Sequence, residues 1–94
     1  MNYEQVLIRP VLSEKTNILR EKGRYVFQVD MKANKPLIKE AVRILFNVHP
    51  VSCTTAIVAG KPKRQRYKKG YTSMWKKAIV TLSKDEKIAL FEGV

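Results

Sequence analysis

The most regular pattern of apolar and polar positions in the chain runs from residue 37 to residue 46. Leu37, Ile38, Ala41, Val42, Leu45 and Phe46 recur at i, i+1, i+4, i+5, i+8 and i+9, while Lys39, Glu40 and Arg43 take the opposite side. That period predicts an amphipathic helix laid on a sheet. Asn34 supplies a side-chain oxygen for its N-cap, and Pro36 is tolerated in its first turn. Residues 24–30 alternate instead, with Tyr25, Phe27 and Val29 on one face, which predicts a strand covered on that side. Residues 51–60 are rich in Val, Thr and Ile and read as a second strand. Residues 75–82 read as a third, with Ala78, Val80 and Leu82 on one face.

Weaker signals fill the ends. Residues 4–9 precede Pro10 and fit either a short helix or an extended segment. Ser13 is placed to cap a helix over about 14–22, with Glu14 in its first turn and Gly23 where it would end. The run Ser83-Lys84-Asp85-Glu86 matches a capping box and predicts a short helix through Phe91. The resulting order, α-β-α-β-β-α without a βαβ repeat, predicts an α+β fold: an antiparallel sheet covered on one face by helices. Ninety-four residues allow one domain, 1–94, with a hydrophobic share of 45% for its core.

Charge changes this picture. The chain has 19 Lys and Arg against 8 Asp and Glu, a net charge of +11. Eight of the cations (Lys61, Lys63, Arg64, Arg66, Lys68, Lys69, Lys76 and Lys77) fall between residues 61 and 77, and no acid does. The rest of the chain carries a surplus of only three. Residues 61–74 show neither period, lie between two predicted strands, and so read as the basic loop of a long antiparallel hairpin. Tyr67, Tyr71 and Trp75 are interleaved with the cations. Cations spaced along a projecting arm suit phosphates, and aromatic faces suit unpaired bases. Nucleic acid is therefore the expected partner, and RNA is favoured because no helix-turn-helix, zinc-finger or basic-zipper pattern occurs.

Catalytic chemistry finds little to build on, and no enzyme is expected. His49 stands alone beside Pro50 and reads as structural or exposed. Cys53, the single cysteine, reads as a small thiol within a strand and implies no disulfide. No His/Cys spacing suits a metal, no glycine-rich phosphate loop occurs, and no cofactor is implied. No apolar run approaches the roughly 18 residues of a membrane span. The N-terminus lacks a signal-peptide pattern, so a cytoplasmic protein without membrane contact is expected.

Three stretches then resemble one family. Arg9-Pro10-Val11-Leu12-Ser13-Glu14-Lys15 is similar to its N-terminal signature, and residues 34–42 to its central helix. Gly60-Lys61-Pro62-Lys63-Arg64 followed by Trp75-Lys76-Lys77-Ala78-Ile79-Val80-Thr81-Leu82 resembles its hairpin. The family is bacterial ribosomal protein L23, and the resemblance covers residues 4 to 92. It implies a three- or four-stranded antiparallel sheet and a structural role in the large ribosomal subunit, on large-subunit ribosomal RNA beside the polypeptide exit tunnel. It places Lys61, Lys63, Arg64, Trp75, Lys76 and Lys77 on that RNA, with Arg9 and Lys15 adding phosphate contacts. Ser13 and Glu14 match the family's docking surface for trigger factor and the signal recognition particle. From the residues alone, Glu14 reads as a helix-dipole acid. Ribosomal protein L29 is the implied neighbour, and no homo-oligomer is expected. Members often place Gly where this chain has Arg66 and an acid where it has Met74. The competing reading is a nonspecific nucleoid or RNA-chaperone protein that binds polyanions by charge alone.

Overall fold

A computed structural model describes residues 2–58, 62–64, 69–71, 74–83 and 85–88, with side chains of 62–64 and 69–71 excepted. The N-terminal segment resolves its two alternatives by taking both in turn. Helix α1 (Tyr3–Val6) passes directly into strand β1 (Leu7–Pro10), and Pro10 is accommodated because β1 is an edge strand. Helix α2 (Glu14–Glu21) follows, capped as expected: the Ser13 hydroxyl accepts from the Thr16 amide at 3.2 Å, and the Ser13 amide donates to the Thr16 hydroxyl at 2.7 Å. Gly23, at φ +78°, adopts the left-handed conformation that ends the helix and turns the chain into β2 (Arg24–Val29).

Helix α3 (Lys35–Phe46) is capped by the Asn34 side chain, which accepts from the Leu37 amide at 3.0 Å. It ends at Asn47, again left-handed at φ 53°. Strand β3 (Pro50–Val58) leads to the hairpin, where β4 (Pro62–Arg64) pairs with β5 (Lys69–Tyr71), and β6 (Trp75–Leu82) returns to the sheet.

The main sheet is fully antiparallel in the order β1-β2-β6-β3. β6 therefore pairs with both β2 and β3, and it runs between them as a central strand. On one face lie Tyr25, Phe27 and Val29 of β2 beside Ala78 and Val80 of β6. That face joins Val6 of α1 and Ile38, Ala41 and Val42 of α3 in one core, all of it solvent-free or nearly so. Phe27 stacks on Phe46 with ring centroids 5.8 Å apart, tying the sheet to the last turn of α3. Helix α2 packs on β2. Val26, which alternation turns away from Phe27, is buried outside the main core.

The helix expected after Ser83 does not form over the described residues. Asp85 has φ 77°, which a right-handed helix cannot contain. Glu86, expected to reach back to its own cap, instead accepts the His49 amide at 2.8 Å, faces His49 Nδ1 at 3.1 Å, and takes the Ser83 hydroxyl at 2.5 Å. These bonds hold the 83–88 segment against the start of β3 and seat Ile88, 1% exposed, in the core. His49 thus has a structural role with its ring largely in solvent. Residues 89–91 of the expected helix lie outside the described residues.

Candidate nucleic-acid interface

The described part of the hairpin pairs in two separate antiparallel ladders, β3 with β6 and β4 with β5. At its base Val58 pairs with Trp75, and beyond it Pro62 pairs with Tyr71, Lys63 with Gly70 and Arg64 with Lys69. The tip pairs therefore continue the count set by the sheet, with neither strand gaining a residue on the other. In the main sheet β6 lies between β2 and β3, and β3 is the edge. Lys63, Arg64, Lys69 and Tyr71 belong to this backbone ladder. Lys61, Arg66, Tyr67 and Lys68 lie outside the described residues.

The sheet brings three of the remaining expected residues together. Arg9 pairs with Gln28, Gln28 with Lys77, and Lys77 with Ala56, so these four form one row across all four strands. Residues directly opposite one another on a sheet face stand about 5 Å apart. Arg9 Nε donates to the Gln28 side-chain oxygen at 2.7 Å, which fixes the guanidinium over the row. Trp75 lies two residues along β6 from Lys77 and shares its face, half-buried beside Val58 at the root of the hairpin. This face is the one turned away from α3. Arg9, Lys77 and Trp75 thus offer two cations and an aromatic plane next to the base of the arm.

Lys76 alternates to the other face. Its row holds Val29 and Ile57, it is half-buried, and its ammonium donates to the carbonyl of Ala33. One of the eight clustered cations is thereby tied into the junction between β2 and α3. Nothing in the sequence marks this bond, because Ala33 and Lys76 are far apart along the chain. Lys15 and Glu14 are both exposed on the first turn of α2, and the cap beneath them is closed by Ser13 and Thr16. Among the described residues Glu14 has no hydrogen bond or ion pair that would hold its carboxylate to the fold, and the exposed Leu12 (44%) lies just before the cap.

Cys53 is half-buried, and burial pushes its thiol up, against the opposing pull of Lys35, Lys39 and Lys76. A thiol so raised is a poor nucleophile. Among the described residues no group of three His, Cys, Asp or Glu side chains gathers to hold a metal ion, and no helix is long and apolar enough to cross a membrane. What the arrangement can do is present the cations of the sheet face, Arg9 and Lys77, to an anionic surface next to Trp75 at the base of the hairpin.

Comparison with known proteins gives a consistent result. The family model described as ribosomal protein L23 matches residues 5–90. A large ribosomal subunit protein uL23 from Treponema denticola is 59% identical over 93 residues, covering 99% of each chain. The uL23 protein of Herpetosiphon aurantiacus is 47% identical over 98 residues, covering the whole of both. That of Brevibacillus brevis is 49% identical over 90 residues, covering 95% of this chain and 94% of its own.

Proposed function

The chain belongs to the ribosomal protein L23 family, and from that premise we propose that it binds large-subunit ribosomal RNA through its basic hairpin beside the polypeptide exit tunnel. Its role in the large subunit of the cytoplasmic ribosome is structural, and it catalyses no reaction. The observation that carries the RNA reading is the joining of charge to geometry. Eight cations and no acid occupy residues 61–77, and the described part of that segment continues the register of the sheet. Each phosphate neutralised by such an arm releases counterions, so binding gains free energy that falls steeply with salt. Arg9, Lys77 and Trp75 at the root extend the cationic surface onto the sheet face, where an indole can stack on an unpaired base.

The proposed docking of trigger factor and the signal recognition particle rests on the family resemblance at Ser13 and Glu14. It is supported by the exposure of Glu14 at the start of a capped helix, where a carboxylate is free to meet a cation of a partner. One exposed ion pair contributes about 0–1 kcal/mol, so neighbouring contacts carry most of that affinity. The implied neighbour L29 belongs to the same proposal.

The salt dependence of binding to large-subunit ribosomal RNA tests the central part. Replacing Lys61, Lys63 and Arg64 together with Gln should reduce the slope of log affinity against log salt by about three. An unchanged slope would remove the hairpin from the RNA interface.

A further inference from the structure

Outside residues 61–77 the chain has 11 Lys and Arg against 8 Asp and Glu, and this remaining surplus is confined to one place. Residues 32–43 hold Lys32, Lys35, Lys39 and Arg43 against Glu40 alone. All other residues taken together carry seven cations and seven acids and are neutral. The net charge of the protein therefore sits on two segments, the hairpin and α3 with the turn before it.

On α3 the cations are ordered. Lys35, Lys39 and Arg43 are spaced at i, i+4 and i+8, which puts them on one side of the helix in steps of about 6 Å. This ridge borders a groove of about 650 Å³ whose other wall is Val51, Ser52 and Cys53 of β3, the edge strand of the sheet. Lys35, Lys39 and Arg43 all line this groove. Glu40 is the one acid in its lining. It is engaged already, 3.6 Å from Arg43 and hydrogen-bonded to the Tyr3 side chain.

Like charges at i, i+4 disfavour the helix that bears them, so the fold gains nothing from the ridge by itself. An external polyanion supplies the missing counter-charge. Even steps of about 6 Å suit the repeating phosphates of one nucleic-acid strand. From Cys53 to Val58, at the hairpin base, β3 covers about 16 Å, so one folded RNA can reach both surfaces.

We propose that the Lys35–Lys39–Arg43 ridge is a second phosphate-binding surface, separate from the hairpin, that holds a backbone strand of the same large-subunit RNA. This rests on the RNA-binding reading above, and the test keeps the two apart. Full-length chains would be titrated with in vitro transcribed large-subunit ribosomal RNA over a range of salt. The variants are the hairpin triple, a ridge triple (Lys35→Gln, Lys39→Gln, Arg43→Gln), the two combined, and a charge-keeping ridge control (Lys35→Arg, Lys39→Arg, Arg43→Lys). The ridge triple should lower the salt slope by two to three, additively with the hairpin triple. The control should keep the original slope, and circular dichroism should show unchanged folding for all. A ridge triple that binds with the original slope, while the hairpin triple loses its share, overturns this inference alone and leaves the groove to another partner, such as an acidic peptide beside β3. Original slopes in both triples overturn the RNA reading together with this one.

Discussion

Phe27 is the side chain on which the placement of the interface depends most. It lies at the centre of β2, 1% exposed, paired with Ala78 of β6 and stacked on Phe46 of α3. Replacing it with Ala removes a buried aromatic ring and leaves a cavity between sheet and helix, which costs about 3–5 kcal/mol. A chain of this size has about 5–14 kcal/mol of stability in all, so this single change removes between about a fifth of the margin and the whole of it. Of that loss, about 0.5–1.5 kcal/mol belongs to the ring pair with Phe46, which a double-mutant cycle with Phe46→Leu isolates. Urea unfolding followed by circular dichroism, and by the fluorescence of the single tryptophan, Trp75, measures both quantities. The two probes should report the same lowered midpoint with an unchanged slope in urea. A loss below about 1.5 kcal/mol would refute the reasoning, because it would mean that the Phe27 side chain is not enclosed between β2 and α3.

Three further outcomes follow from particular contacts. The Ser83 hydroxyl and His49 hold the Glu86 carboxyl below its ordinary value. The folded chain then takes up this proton less readily than the unfolded one, so the stabilisation is complete at neutral pH and is lost as pH falls through the lowered value. Thermal melts in acid, below about pH 5, should show wild type losing stability more steeply than Glu86→Gln, and parallel curves would discard the bond to His49 as a source of stability. Gly23→Ala should cost about 1 kcal/mol from its left-handed backbone alone, since the nearest atom to an added methyl, the Leu82 carbonyl oxygen, is 3.8 Å away; a urea midpoint equal to wild type would contradict this. Glu14→Ala should leave folding and RNA binding unchanged and weaken trigger-factor recruitment to ribosomes in a cosedimentation assay, whereas undiminished recruitment would return Glu14 to the helix-dipole role.

The parts of the fold that follow from local chemistry were legible in the sequence. The period of α3, its Asn34 cap and the alternation of β2 and β6 each depend on near neighbours, and the structure has them where the pattern puts them. Gly23 ends α2 for the same reason. What failed depended on distant partners. The Ser83–Glu86 spacing is that of a capping box, but Glu86 is drawn to His49, 37 positions away, and the left-handed Asp85 stops a helix before it starts. The resemblance allowed a three- or four-stranded sheet, and the fourth strand is β1, whose pairing with β2 shifts register between Leu7 and Arg9 and leaves no clean period to read. Of the candidate interface, charge was readable and grouping was not. Arg9 and Lys77 share a row only because β1, β2 and β6 align, and Lys76 turns to the opposite face and bonds Ala33. The α3 ridge was visible as the polar side of a helix, but its significance appears only beside the edge of β3.

The most direct test of the central claim is sucrose-gradient fractionation of a cell lysate at moderate and then high salt, with detection of this chain across the gradient. A protein held in the large subunit by many phosphate contacts from a hairpin anchored in the sheet should cosediment with that subunit and remain there at high salt. Release into the soluble or DNA-bound fractions would contradict the account and favour a polyanion binder that acts by charge alone.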